Sequence, residues 1–232
     1  PINIQGDIIW QGVDGKGIRY FHKNKQKFRH HRLVKDGRPA NARSIVRTND
    51  RTYWYGSRDY GIGRFDIFGN HLDHFHQKNN KSPSDFVLQL LPLSDGSLLA
   101  TGGEKLSLYH KKRDAFLSLQ QKNSNQPFFI GTVATLSDSL IFCINYNDFQ
   151  NLYQISLFPD NAFVLKPVPV LGTQKKDEVV HVFSAFSNNL ILNISTTDVA
   201  LVTYENKSFH IRKRYNINVS VNHVLPHGDS LY

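Results

Sequence analysis

Between residues 87 and 119, apolar and polar residues alternate in four short runs: 87–93, 98–101, 106–109 and 115–119. A period of two puts successive side chains on opposite faces, so each run predicts a β-strand. The runs are separated by Ser94-Asp95-Gly96, by Gly102-Gly103 and by residues 111–114. Gly, Asp and Asn tolerate the positive φ that tight hairpins need, so each gap predicts a turn. No stretch of helical period runs longer than a turn or two. The expectation is an all-β chain built from hairpins.

The pattern repeats. Residues 7–21 read DIIWQGVDGKGIRYF and residues 51–66 read RTYWYGSRDYGIGRFD. Trp10 and Trp54 stand 44 residues apart, as do Gly12 and Gly56. Gly17-Ile18-Arg19-Tyr20 aligns with Gly61, Ile62, Arg64 and Phe65 if Gly63 is an insertion. A third copy covers 95–110, with Leu99 in the Trp place and Tyr109 in the place of Tyr20 and Phe65. Looser copies cover 137–155 and 187–204, and a sixth begins at 227–232. A spacing of roughly 40–50 residues is that of four-stranded β-propeller blades. The fold expected is an all-β propeller region over 1–232, with blades near 1–43, 44–84, 85–127, 128–178 and 179–232. About five antiparallel four-stranded blades would form part of a larger ring, or would close with 218–225 and 231–232 beside the first. Gly15, Gly17, Gly61 and Gly63 are expected to free the backbone where second strand turns into third. Trp10 and Trp54 are expected to be buried between neighbouring blades.

The stretches Trp10-Gln-Gly-Val-Asp-Gly-Lys-Gly17-Ile-Arg19-Tyr20 and Trp54-Tyr-Gly-Ser-Arg-Asp-Tyr-Gly61-Ile-Gly-Arg64-Phe65 carry a pattern. It resembles the two-component-regulator propeller repeats, strongly over residues 1–120 and weakly beyond. The resemblance implies the extracytoplasmic sensor region of a bacterial histidine kinase, hybrid two-component system or diguanylate cyclase. It implies a periplasmic location, a membrane-anchored parent protein and homodimerisation through the full-length sensor. The chain has no methionine and opens inside a patterned segment, so it is expected to be part of a longer protein.

Charge changes the picture only locally. The net charge is +9. Residues 1–60 hold 13 Lys or Arg against 5 Asp. Lys23, Lys25, Lys27 and Arg29 alternate with other types, as on the solvated face of an edge strand, so a nucleic-acid partner is not expected. Cys143, the one cysteine, lies in the apolar run 140–144 and is read as a buried small hydrophobe.

No phosphate-binding loop, GxSxG, HExxH or dinucleotide fingerprint is present, nor a sialidase box. The stretch NHLDHFH puts His74 and His76 on one face of a strand and His71 and Asp73 on the other, short of a closed metal site. Asp14, Asp59, Asp66 and Asp148 read as turn residues. No catalytic residue, metal or cofactor is expected. The alternatives to a sensor are a glycan-active hydrolase or lyase propeller and a protein-interaction scaffold.

Propellers bind ligands where inter-strand loops converge. The richest loop is Ser57-Arg58-Asp59-Tyr60-Gly61. Arg58 offers a planar fork for an anion and Tyr60 a stacking surface. The matching loop of the first unit carries Asp14 and Lys16, and Arg43 and Arg47, at the start of the second, lie on or before its innermost strand. Together they predict a basic, partly aromatic mouth for a small-molecule or oligosaccharide ligand, preferably anionic.

Overall fold

The computed structural model describes residues 2–5, 7–13, 17–22, 28–31, 34–35, 38–39, 41–122, 128–137, 139–173, 179–184, 189–194, 198–217, 226–227 and 230–231. The chain divides into two units, residues 1–119 and 120–232.

The first unit holds three antiparallel sheets, each with its strands in chain order. The first sheet is β1 (Ile2–Gln5), β2 (Ile8–Val13), β3 (Gly17–His22) and β4 (Phe28–His31). A small pair follows, β5 (Val34–Lys35) and β6 (Arg38–Pro39). The second sheet is β7 (Ala42–Arg47), β8 (Tyr53–Ser57), β9 (Ile62–Phe65) and β10 (His71–Phe75). The third is β11 (Gln89–Pro92), β12 (Leu98–Gly102), β13 (Lys105–His110) and β14 (Ala115–Ser118). These last four lie close to the strands read from the alternation at 87–119.

The second unit holds two sheets of five strands. The first comprises β15 (Gln120–Gln121), β16 (Ile130–Ser137), β17 (Leu140–Asn145), β18 (Asp148–Phe158) and β19 (Ala162–Val168). The second comprises β20 (Val170–Leu171), β21 (Val179–Ser184), β22 (Asn189–Ile194), β23 (Asp198–Glu205) and β24 (Ser208–Asn216). A short pair, β25 (Pro226–His227) and β26 (Ser230–Leu231), comes last. Residues 218–225, expected to close a ring, lie outside the described residues.

The fifth strand of each sheet is a latch. β15 runs parallel to β19, and β20 parallel to β24. In both cases the segment entering a sheet bonds the outermost strand that the same sheet later adds. The third sheet uses a single bond for this, from the Phe116 amide to the Lys81 carbonyl at 2.8 Å.

Glycine acts in two ways. Gly17 and Gly61 have φ of 87° and 73° and open the third strands of their sheets. Gly63, expected in a turn, instead lies inside β9 opposite Tyr55, where a Cβ would come 2.1 Å from the Tyr55 ring. Gly15 lies outside the described residues. Cys143 is buried in β17, as its apolar run implies, and burial pushes its thiol up.

The repeat alignment needs one correction. Gly12 pairs with Ile18 and Trp10 with Tyr20; Gly56 pairs with Ile62 and Trp54 with Arg64. The 44-residue offset therefore runs unbroken through the third strand, and Gly63 is no insertion. Phe21, not Tyr20, matches Phe65, and Tyr20 matches Arg64. A one-residue slip exchanges the two faces of a strand, and two neighbouring aromatics disguised it.

Trp10 is fully buried and its ring lies 4.7 Å from that of Tyr53 and 4.9 Å from that of Phe65, in the next sheet. Trp54 packs on the next sheet in turn, against Tyr109 of its third strand at 4.9 Å, the counterpart of Phe65, and against Phe116 of its fourth strand at 6.0 Å. Both tryptophans therefore pack between neighbouring sheets, as expected. The second unit has the same device without tryptophan. Phe142 of β17 meets Tyr204 at 5.1 Å and Phe209 at 4.7 Å. Tyr204 pairs with Phe209 as Tyr109 pairs with Phe116.

Charges cover the outer side of the Trp54 contact. The Arg64 guanidinium sits 5.2 Å from the Trp54 ring centroid, in Tyr20's place. It also lies 3.7 Å from Asp73 and 3.5 Å from Asp114. Lys81 reaches the same two carboxylates at 2.6 and 3.0 Å. Two cations and two anions thus compensate one another across the second and third sheets.

Candidate functional site

The loop between β8 and β9 is held by its own serine. The buried Ser57 hydroxyl donates to Asp59 Oδ1 at 3.0 Å. It also accepts from the amides of Asp59 and Tyr60, at 3.3 and 3.2 Å. Asp59 Oδ1 further accepts from the Asn41 amide, and the Arg58 amide donates to the Asn41 carbonyl at 2.9 Å. The Gly61 amide donates to the Asp85 carbonyl at 2.8 Å. A short loop tied at both flanks presents its side chains in a fixed place.

Arg58 is exposed, and among the described residues its guanidinium has no hydrogen-bond or ion-pair partner. Asp59, the nearest carboxylate in sequence, is engaged within the loop. Tyr60 is half-buried, and one face of its ring is stacked on His74 at 4.1 Å. Only the other face is left for a ligand.

Arg43 and Arg47 are both half-buried on β7 but do not come together. Ala42 pairs with Ser57, so Arg43 lies at the Arg58 end. Arg47 pairs with Tyr53 at the other end of the strand and sits 5.8 Å above its ring. Four residues of strand separate the two by roughly 13 Å. Lys16 and Asp14 lie outside the described residues. Strand pairing thus puts Arg43 at the same end of the second sheet as Arg58 and Tyr60, and Arg47 at the other.

Three imidazoles back this loop, which the sequence reading had split between two faces. A register shift between His71 and Asp73 brings the His71 ring to 6.2 Å from that of His74. His76 lies 4.7 Å from His74 on the other side. The His74 Nε2 donates to the Tyr60 carbonyl. Burial holds His74 below the usual imidazole range; the bond to Tyr60 opposes this, and His76 and His71 add to it. Burial also lowers His71, against the pull of Asp73. Among the described residues no group of three potential ligands is arranged to hold a metal ion.

A lowered imidazole favours folding above the unfolded value of about 6.5, and that contribution is lost as pH falls through the lowered folded value. Melting temperature is therefore expected to drop between pH 7.5 and pH 5. In His74→Gln, whose neutral amide can still donate to Tyr60, the drop should be smaller. Thermal melts across that range check this, and an equal drop in the variant would count against it.

The carboxylates weighed as acid–base pairs are engaged in turns and local bonds. Asp66 accepts from the amides of Phe68 and Asn70. Asp148 accepts from the Tyr153 hydroxyl at 2.6 Å and from Asn151 at 3.1 Å.

No protein-family model matches the sequence, and a search of curated proteins finds no match. Solved structures do match. One is the extracellular domain of BT4673 from B. thetaiotaomicron, described as a proposed hybrid two-component system, with a TM-score of 0.63 and 14% identity over 93% of this chain. A second structure of that extracellular domain, described as from a proposed one-component system, gives 0.64 and 13% over 90%. The WD40 repeats of RRP9 give 0.67 and 12% over 97% of this chain and 68% of theirs. The chain spans about a quarter of the length of the BT4673 domains, 26% and 27%. At such identities the likeness is one of fold. The sheets, their order and these neighbours together make the chain a run of antiparallel β-propeller blades.

Proposed function

We propose that this chain is the non-catalytic, ligand-sensing propeller region of a bacterial membrane-bound signal-transduction protein, standing outside the cytoplasm. A shared fold does not by itself give function, since RRP9 shares it too. The observation that carries the reading is the pairing of two things. One is the Trp-x-Gly…Gly-Ile repeat at Trp10 and Trp54. The other is the likeness to an extracellular domain of a proposed two-component system over nine-tenths of the chain.

The sensed ligand is an acidic oligosaccharide or similar anion, bound at the Arg58 end. Arg58 supplies an uncommitted guanidinium, Tyr60 one ring face, and Arg43 a second cation on the adjacent strand. The test is a binding screen of acidic oligosaccharides against the wild type and Arg58→Ala. A charge-assisted hydrogen bond contributes about 1.5–3 kcal/mol, so affinity should fall roughly 10- to 100-fold in the variant. Unchanged affinity for a ligand that does bind would remove this site.

A further inference from the structure

At the opposite end of the second and third sheets, the β7–β8 and β11–β12 hairpins border a cavity of about 260 Å³. Trp54, Arg64 and Tyr109 line it, together with Asp50, Asp95 and Lys111. At roughly 30 Å³ per water, it holds a molecule of about ten non-hydrogen atoms. That is ample for a small metabolite.

The charges around it divide into committed and uncommitted. Arg64 is balanced by Asp73 and Asp114, although its Nε is buried without a hydrogen-bond partner. Asp50 uses one oxygen, Oδ1, which accepts from the hydroxyls of Thr48 and Thr52, both at 2.5 Å, and from the Thr52 amide at 3.1 Å. Asp95 likewise uses Oδ1 to hold the Ser97 amide at 2.8 Å and its hydroxyl at 2.6 Å. Each carboxylate is thus fixed by its own hairpin, with Oδ2 uncommitted among the described residues. Lys111 is exposed and makes no hydrogen bond or close ion pair among them, although its charge already acts on Asp50.

Two carboxylates, each fixed by its hairpin, and one ammonium without a hydrogen bond therefore line one small cavity. A simple anion would meet both aspartates, and a simple cation would meet Lys111. A zwitterion satisfies both signs at once. We infer that this cavity is a second binding site, distinct from the Arg58 loop, and that it takes a free α-amino acid. The ligand's ammonium faces Asp50 and Asp95, and its carboxylate faces Lys111. Trp54 and Tyr109 supply the apolar part of the wall.

Calorimetric titration with each of the common free amino acids, one at a time, tests this. At least one should bind at millimolar concentration or below. Its N-acetyl and its amide derivatives, each lacking one charge, should bind at least ~10-fold more weakly, the scale of a lost charged hydrogen bond. Lys111→Gln should cost a similar factor. Asp95→Asn keeps an oxygen for the Ser97 bonds while removing the charge, and should also weaken binding. Arg58→Ala should leave it unchanged. Circular dichroism of each variant confirms that the fold is kept. The inference is overturned if no free amino acid binds. It is equally overturned if the blocked derivatives bind as well as the parent, or if Lys111→Gln retains full affinity.

Discussion

Replacing Trp54 with alanine is expected to destabilise the first unit by about 3–5 kcal/mol, the scale of large-to-small aromatic changes in a core. The indole is 2% exposed. It packs on Phe75 at 5.3 Å, Tyr109 at 4.9 Å and Phe116 at 6.0 Å. Its Nε1 donates to the Thr48 hydroxyl at 3.2 Å. Alanine leaves a cavity between two sheets and removes one of the two rings beneath the Arg64 guanidinium, leaving Phe75 at 5.6 Å. Phe142→Ala should cost the second unit a similar amount, because Phe142 plays the same part against Tyr204 and Phe209. Urea unfolding, followed by fluorescence and circular dichroism, measures both. A loss below about 1 kcal/mol in either variant would show that the two positions are not equivalent, since buried aromatic truncation costs several times that.

Gly61→Val is expected to cost about 3 kcal/mol, from two sources. At φ of 73° an L side chain costs roughly 1–2 kcal/mol. In addition, a Cβ there would lie 2.3 Å from the Phe75 carbonyl oxygen, which belongs to backbone and cannot swing away. Overpacking of that kind adds roughly 1–3 kcal/mol. Gly96→Val provides the control. Its φ is 81°, but nothing lies within 4 Å of the added Cβ. It should show only the conformational part. Equal losses at the two positions would mean that the Phe75 contact is accommodated.

The sequence was most legible where period and punctuation agreed. The runs at 87–119 marked four strands because Ser94-Asp95-Gly96 and Gly102-Gly103 interrupt them cleanly. Gly17 and Gly61 were readable because only glycine adopts their φ at little cost. Legibility failed where two residues share a chemical character. Tyr20 and Phe21 are adjacent aromatics, so composition could not say which one matches Phe65; only the pairing of Trp54 with Arg64 decides. Phe142 went unnoticed because a phenylalanine in an apolar strand carries no mark of the tryptophan's role.

The site was less legible than the fold. Arg58 and Tyr60 lie on the β8–β9 loop and Arg43 at the same end of β7, while Arg47 lies at the other end. The separation of Arg47 was implicit in the hairpin pattern, because antiparallel pairing of consecutive strands puts the end of β7 beside the start of β8, far from the Ser57 loop. The His71–His74 approach arises from a register shift, which moves a side chain off its expected face without changing the alternation. The cavity by Asp50 and Asp95 was invisible for another reason. Asp95 read as part of an ordinary turn and Asp50 drew no reading, and nothing in either hairpin alone announces that the two border one space.

The latches also set a timetable. β15 cannot pair with β19, nor β20 with β24, until roughly forty further residues have been made. At synthesis rates of about 5–20 residues per second, each entering segment waits roughly two to eight seconds for its partner. The finished edge is guarded in another way, because β20 covers only Phe209 and His210 of β24. Beyond them β24 carries Arg212, Lys213 and Arg214 in succession, and charge on the uncovered stretch of an outermost strand discourages a neighbouring chain from adding itself to the sheet.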